Sequence, residues 1–147
     1  VMAYTPSLLR GYWNNSVATF DALDGGWLKT GDIGWCDEDG YLFIVDRKKE
    51  VIISGGENIY PREVEEALHF HPEVEEVAVI GIKDEYRGQS PKAFVKLKAG
   101  AASFTLNELQ VFLKDKLGKH EMIQAFEIRD ELPKTPVGKI SKKDLYD

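Results

Sequence analysis

The chain has 147 residues, 43% of them hydrophobic, a formal net charge of −6 and one cysteine. That much apolar sequence suits one ordinary domain, or a small domain plus part of another, while the cations are scattered or paired with acids and exclude a broad phosphate-tracking face for DNA or RNA. Cys36 alone excludes an internal disulfide framework and points to a reducing, cytoplasmic setting; no apolar run reaches the roughly 18 residues of a membrane span, and the first residues do not read as a signal peptide.

Val1 to Tyr4 reads as a strand already under way, so the expectation is a piece of a longer protein. Residues 1 to 31 are rich in rings and turn formers, with short strands at Val1 to Tyr4 and Trp27 to Lys29 and a short helix at Val17 to Leu23. Trp13, Trp27 and Trp35 read as packing residues. Thr30-Gly31-Asp32 follows directly on a strand: Asp32 either closes a plain turn on a nearby backbone N–H or presents two acceptor oxygens to neighbouring sugar hydroxyls. Asp37 to Gly40 then marks a hairpin turn, with Tyr41 to Val45 as the returning strand. Cys36 has no His or second Cys at ligand spacing and reads as structural, and no metal site is apparent.

The organising stretch runs from Asp46 to Pro61: an acid, three cations, Val51 to Ile53, the pair Gly55-Gly56, and a helix led by Pro61. Taken alone, it reads most simply as a hairpin between Tyr41–Val45 and Val51–Ile53 across a charged turn. The helix from Pro61 to about Phe70 buries Val64, Ala67 and Leu68 and turns Glu65 and its polar neighbours to water. His69 and His71 fall at its C-terminal end as solvated residues near the negative pole of the dipole. Strands follow at Val74 to Ile82, buried on both faces, at Ala93 to Leu97 and at Ala125 to Ile128. Thr105 and Glu108 form a capping box for a helix with the stripe Leu106, Leu109, Phe112, Leu113 and Leu117, stopped by Gly118. In the tail, Pro133, Pro136 and Gly138 stiffen a loop that holds Lys139 at its tip, and Ser141 with Asp144 opens a last helical turn. A lysine so placed is either solvated or catalytic.

Four motifs, Thr30-Gly31-Asp32, Asp46 to Glu50, Ser54 to Pro61 and Pro133 to Ile140, resemble in order and spacing the adenylate-forming acyl-CoA synthetases, relatives of luciferases and of peptide-synthetase adenylation domains. Gly-Gly-Glu-Asn-Ile-Tyr-Pro is closest to fatty and aryl acyl-CoA ligases. The resemblance implies an α+β fold. Residues 1–46 are then the β-rich C-terminal edge of a large N-terminal domain, and residues 47–147 a small mobile lid with a short hairpin and a three-stranded sheet packed by helices. It further implies that Asp32 binds the ribose hydroxyls of ATP or AMP, that Arg47 contacts the same nucleotide, and that Lys49 is the hinge. Gly55 and Gly56 would line the pantetheine tunnel of CoA, and Lys139 would be the catalytic lysine of adenylation. ATP, CoA and a carboxylic acid are the implied substrates, with Mg2+ held outside this stretch. Similar loops are substrates of protein lysine acetyltransferases, which would target Lys139, with Lys142 and Lys143 as equally exposed decoys. Ser16-Val17 and Glu121-Met122-Ile123 depart from the family pattern, the second in a turn that could contact CoA phosphates. The rival readings are an adenylation domain that loads a carrier protein and a non-catalytic lid-like module.

Overall fold

The computed structural model describes residues 1–146. The chain divides into two compact units, one spanning Val1–Lys49 and the other starting at Glu50.

In the first unit, β1 (Met2–Ala3), α1 (Ser16–Ala22), β2 (Leu23–Asp24) and β3 (Trp27–Lys29) precede a long ribbon, β4 (Asp32–Cys36) with β5 (Leu42–Arg47). β3 is flanked on both sides by antiparallel partners, β1 and β2. Asn15 caps α1 by accepting the Ala18 N–H through its side chain, satisfying one of the helix's unpaired donors. Trp27 packs on Tyr4 at 5.5 Å and Trp35 stacks on Phe43 at 4.6 Å. Trp13 is 97% exposed, and Cys36 is exposed and unbonded to another sulfur.

The ribbon corrects the hairpin expected across the charged joint. Tyr41–Val45 does not pair with Val51–Ile53; β5 runs antiparallel to β4 instead, joining Asp32 to Arg47 and Cys36 to Leu42. The partner of β6 (Ile52–Ser54) is β7 (Glu57–Ile59), across Gly55-Gly56. Those glycines have φ of 60° and 88°, the sign that a two-residue hairpin turn of the type I′ kind needs at both central positions. β7 escapes sequence reading because Glu57 and Asn58 have little strand preference.

The second unit continues with α2 (Pro61–His69), β8 (Val74–Asp84), β9 (Gly88–Leu97), α3 (Leu106–Leu113) and β10 (Ala125–Ile128), and ends in a 3-10 turn, Lys142–Leu145. β8 and β9 pair antiparallel along their whole length, β10 lies parallel to β9, and a single bridge, Ser54 to Gly88, ties the β6–β7 hairpin to the three strands to make a five-stranded sheet. A parallel neighbour needs a crossover, and the segment carrying α3 supplies it. Side chains alternate across the strands. Val77, Val79, Ala93 and Val95 therefore meet Val64, Leu68, Leu109 and Leu113 in one cluster, and Ala78, Ile80 and Phe94 meet Leu132 and Leu145 in another. β8 is buried on both faces, as its sequence predicts. Among the described residues no helix is long and apolar enough to cross a membrane.

Three details differ from the sequence expectation. The capping box of Thr105 and Glu108 is formed, but α3 ends at Leu113 and Gly118 keeps a φ outside the left-handed region, so it does not stop the helix. Ser141 precedes the final turn without a side-chain cap bond. His71 is half-buried rather than solvated: its ring lies 4.6 Å from that of Phe104 and 4.7 Å from that of Phe112, and Nδ1 accepts the Glu73 N–H. Burial in this aromatic setting pulls its pKa below the ordinary histidine value, ahead of the opposing pull of Glu73.

Candidate functional site

Asp32 and Arg47 come together because β4 and β5 place them directly opposite each other, and residues in such register share a sheet face. Arg47 Nε lies 3.4 Å from Asp32 Oδ1, with the carboxylate the less exposed of the two. The preceding turn is built for this: Gly31 takes φ 79°, its carbonyl accepts the Lys48 N–H at 2.8 Å, and the Thr30 hydroxyl accepts the Asp32 N–H at 3.1 Å. A cavity of about 520 Å³ is lined by Thr30, Gly31, Arg47, Lys48 and Lys49. It therefore offers three cationic side chains beside a carboxylate that a guanidinium holds in place. Such an arrangement suits a ligand with hydroxyl donors at one end and anionic oxygens at the other. Lys49 is the last residue of the first unit.

Gly55 and Gly56 form the tight turn between β6 and β7, with the Gly55 N–H bonded to the Arg87 carbonyl at 2.8 Å. No heavy atom lies within 4 Å of where a Cβ would stand on either. Glycine is required here by the positive φ, which L side chains adopt at a cost, and not by crowding.

Lys139 stands on the returning arm of a small hairpin and not at its tip. Lys134 and Ile140 bridge, the Thr135 N–H bonds the Lys139 carbonyl at 2.7 Å, and the Gly138 N–H bonds the Thr135 carbonyl at 2.8 Å with Gly138 at φ 81°. The Thr135 hydroxyl accepts the Lys139 N–H at 3.2 Å. Pro136, Val137 and Gly138 form the tip, and Val137 is 80% exposed. The Lys139 side chain is exposed while its backbone is bonded on both sides.

The hairpin is tied down by groups that sequence reading passed over. Lys134 Nζ is 2.7 Å from Glu76 Oε1 on β8. Lys142 Nζ is 3.1 Å from Glu50 Oε2 and 2.8 Å from Glu65 Oε1, and the same Glu65 oxygen accepts the Val79 N–H at 2.7 Å. Two expectations are overturned here. Lys142 is not an exposed neighbour of Lys143, and Glu65 does not face water: their side chains are 21% and 17% exposed. Nothing in the run Ser141-Lys142-Lys143 distinguishes the clamped lysine from the solvated one, and the carboxylates that hold it are far away in sequence. Among the described residues no cluster of three or more His, Cys, Asp or Glu is placed to hold a metal ion.

The small α+β fold with its antiparallel sheets matches the C-terminal domain of adenylate-forming enzymes. The family described as the AMP-binding enzyme C-terminal domain matches residues 63–139, and the chain belongs to it. Among curated proteins it is 50% identical over 142 residues to the long-chain-fatty-acid–CoA ligase of Bacillus subtilis, which covers 97% of the chain and 25% of that protein. It is 45% identical over 140 residues to the 2-succinylbenzoate–CoA ligase of Geobacillus kaustophilus, covering 95% of the chain and 28% of the relative. Among solved structures, o-succinylbenzoate CoA synthetase (MenE) from Bacillus subtilis, in complex with the acyl-adenylate intermediate OSB-AMP, superposes with a TM-score of 0.91 at 38% identity, over 99% of this chain and 30% of that one. The amide bond synthetase McbA from Marinactinospora thermotolerans superposes with a TM-score of 0.87 at 36% identity, over 98% of this chain and 29% of that one. The chain thus spans about a quarter of the length of the curated relatives it matches.

Proposed function

We propose that this chain is the C-terminal part of an ATP-dependent acyl-CoA synthetase of the cytoplasm. Residues 1–46 would close its large domain, and residues 47–147 would form its lid. The observation that carries this reading is the Asp32–Arg47 pair beside a cavity rimmed by Arg47, Lys48 and Lys49, in a chain whose relatives are named as CoA ligases.

In the first half-reaction a carboxylate oxygen attacks the α-phosphorus of ATP, the bond to the bridging oxygen breaks, and pyrophosphate leaves. Asp32 accepts the ribose hydroxyls, which fixes the nucleotide, and Arg47 orients Asp32 while contributing positive charge. Lys139 meets the negative charge that builds on the phosphoryl oxygens; its backbone is fixed by the hairpin bonds, so only its side-chain rotamers remain to be ordered when the ammonium is placed. ATP is used as its magnesium complex, and no step is assigned to a metal held by this chain. In the second half-reaction the CoA thiol attacks the acyl carbonyl and AMP leaves. The Gly55-Gly56 turn gives pantetheine a smooth backbone edge, and Lys49 is the residue about which the lid turns. Acetylation of Lys139 by a protein acetyltransferase would cancel its charge and stop adenylation. Lys143, exposed nearby, is the decoy site.

The test uses the intact enzyme with long-chain fatty acids and 2-succinylbenzoate as candidate acids. Lys139→Ala should slow pyrophosphate exchange by a few hundredfold, about 3 to 4 kcal/mol of barrier, while still turning supplied acyl-AMP and CoA into thioester. Equal losses in both assays would refute the assignment of Lys139.

A further inference from the structure

We propose that Lys142 is a positioning residue for Lys139. Its ammonium ties the hairpin that carries Lys139 to Glu50, the first residue of the second unit, and to α2, so that hairpin and unit turn as one body. The proposal rests on the function proposed above for Lys139.

Lys142 opens the 3-10 turn immediately behind the hairpin, whose base is closed by the Ser141 N–H on the Pro133 carbonyl at 2.8 Å. Its one nitrogen reaches two carboxylates, Glu50 in the turn before β6 at 3.1 Å and Glu65 on α2 at 2.8 Å. Glu65 passes the connection on to β8 through the Val79 N–H. The other arm has its own leg, Lys134 to Glu76, and Leu132 and Leu145 bury themselves on the same sheet face on either side. Burial draws the Lys142 pKa down, but the Glu65 and Glu50 carboxylates outweigh it and hold the value above that of an ordinary lysine. The clamp is therefore cationic throughout the working pH range.

Removing the cation leaves Glu50 and Glu65 facing a shared, partly desolvated point without the ammonium that bridged them. Two carboxylates so placed repel and separate. The hairpin base then loses its tether to the segment next to Lys49, while the sheet, held by its ladder and two apolar clusters, is left as it was. Lys143 is the internal control, being the adjacent lysine with an exposed side chain.

The experiment compares Lys142→Met, Lys142→Arg and Lys143→Met in the intact enzyme by half-reaction kinetics and by amide hydrogen exchange. For Lys142→Met the adenylation kcat should fall about tenfold, a misalignment-sized loss, with KM for ATP within about twofold and thioester formation from supplied acyl-AMP unchanged. The Thr135, Lys139 and Ser141 amides should exchange faster while those of β8 and β9 do not, Lys142→Arg should restore both readouts, and Lys143→Met should match wild type. Glu50→Gln, which removes one leg only, should move the same amides less and serves if Lys142→Met does not fold. The proposal is overturned if hairpin exchange is unchanged, if hairpin and sheet exchange accelerate together, or if both half-reactions are lost equally. An inactive wild-type enzyme would count against the parent function, and the exchange data would still decide whether the tether exists.

Discussion

His71 shows how a residue's surroundings overrule its neighbours in sequence. Placed just beyond the C-terminus of α2, it belongs where a helix dipole favours a cation. Yet it sits against Phe104 and Phe112, with Nδ1 used as an acceptor, an arrangement open only to the neutral ring with its proton on Nε2. Desolvation lowers its pKa in the folded state, so the unfolded chain takes the proton more readily. The sign follows: this residue costs nothing above the ordinary histidine pKa, near 6.5, and destabilises the fold as the pH drops below it. Replacing His71 by Phe should reduce the fall in urea midpoint between pH 7.5 and pH 5. If wild type and variant lose the same stability over that interval, the neutral-ring assignment is wrong. The pair Asp32 and Arg47 illustrates the opposite case, since the turn residues around Gly40 predicted the hairpin that sets them face to face.

At the scale of elements, local chemistry was legible and its extent was not. The Thr105–Glu108 capping box could be read from four residues and is present in full, with the Thr105 N–H 2.7 Å from Glu108 Oε2. Thr105→Ala should therefore cost about 1 kcal/mol, seen as a lower denaturation midpoint with an unchanged slope; a change under a few tenths would mean the cap is redundant with the packing of Leu109 and Leu113. Where α3 ends could not be read the same way, because apolar periodicity continues to Leu117, past the last helical residue Leu113, and the Leu117 N–H still reaches back to the Leu113 carbonyl at 3.0 Å. Partners distant in sequence were the least visible. Ser54 meeting Gly88, β10 lying parallel to β9, and Lys142 reaching Glu50 and Glu65 all depend on how the sheet assembles. The hairpin wrongly expected between Tyr41–Val45 and Val51–Ile53 fails for the same reason. Both segments are good strands, and the choice of partner was made by turns lying outside the pair, at Asp37 to Gly40 and at Gly55-Gly56.

For the whole molecule, the division after Lys49 is the feature with the largest reach. If, as proposed, residues 47–147 form a lid and Lys49 absorbs its dihedral change, Lys49→Pro in the intact enzyme, which fixes φ near −65° and also restricts Lys48, should hold one pose. Adenylation should then survive while thioester formation from acyl-AMP is lost, as read by pyrophosphate exchange against thioester yield. Wild-type rates in both would move the hinge elsewhere. The motifs that signalled this family were readable because each is a short local device: a turn, a charged joint, a glycine pair, a proline-braced lysine loop. The groups that couple those devices were not.

The central position of β9 also orders the way this unit comes together. Asp84 pairs with Gly88 across three residues, whereas Ala93 waits for Phe126 on the far side of α3. Closing the short loop is entropically cheap and closing the long one is not. The β8–β9 hairpin is thus the natural nucleus, β10 docks once the crossover has folded, and the segment from Leu132 to Leu145 can be sewn on only after the face formed by Ala78, Ile80 and Phe94 exists. What condenses last opens first. The arm bearing Lys139 is consequently expected to open at a smaller free energy than the sheet beneath it, which faster amide exchange at Thr135 and Lys139 than in β8 and β9 would show.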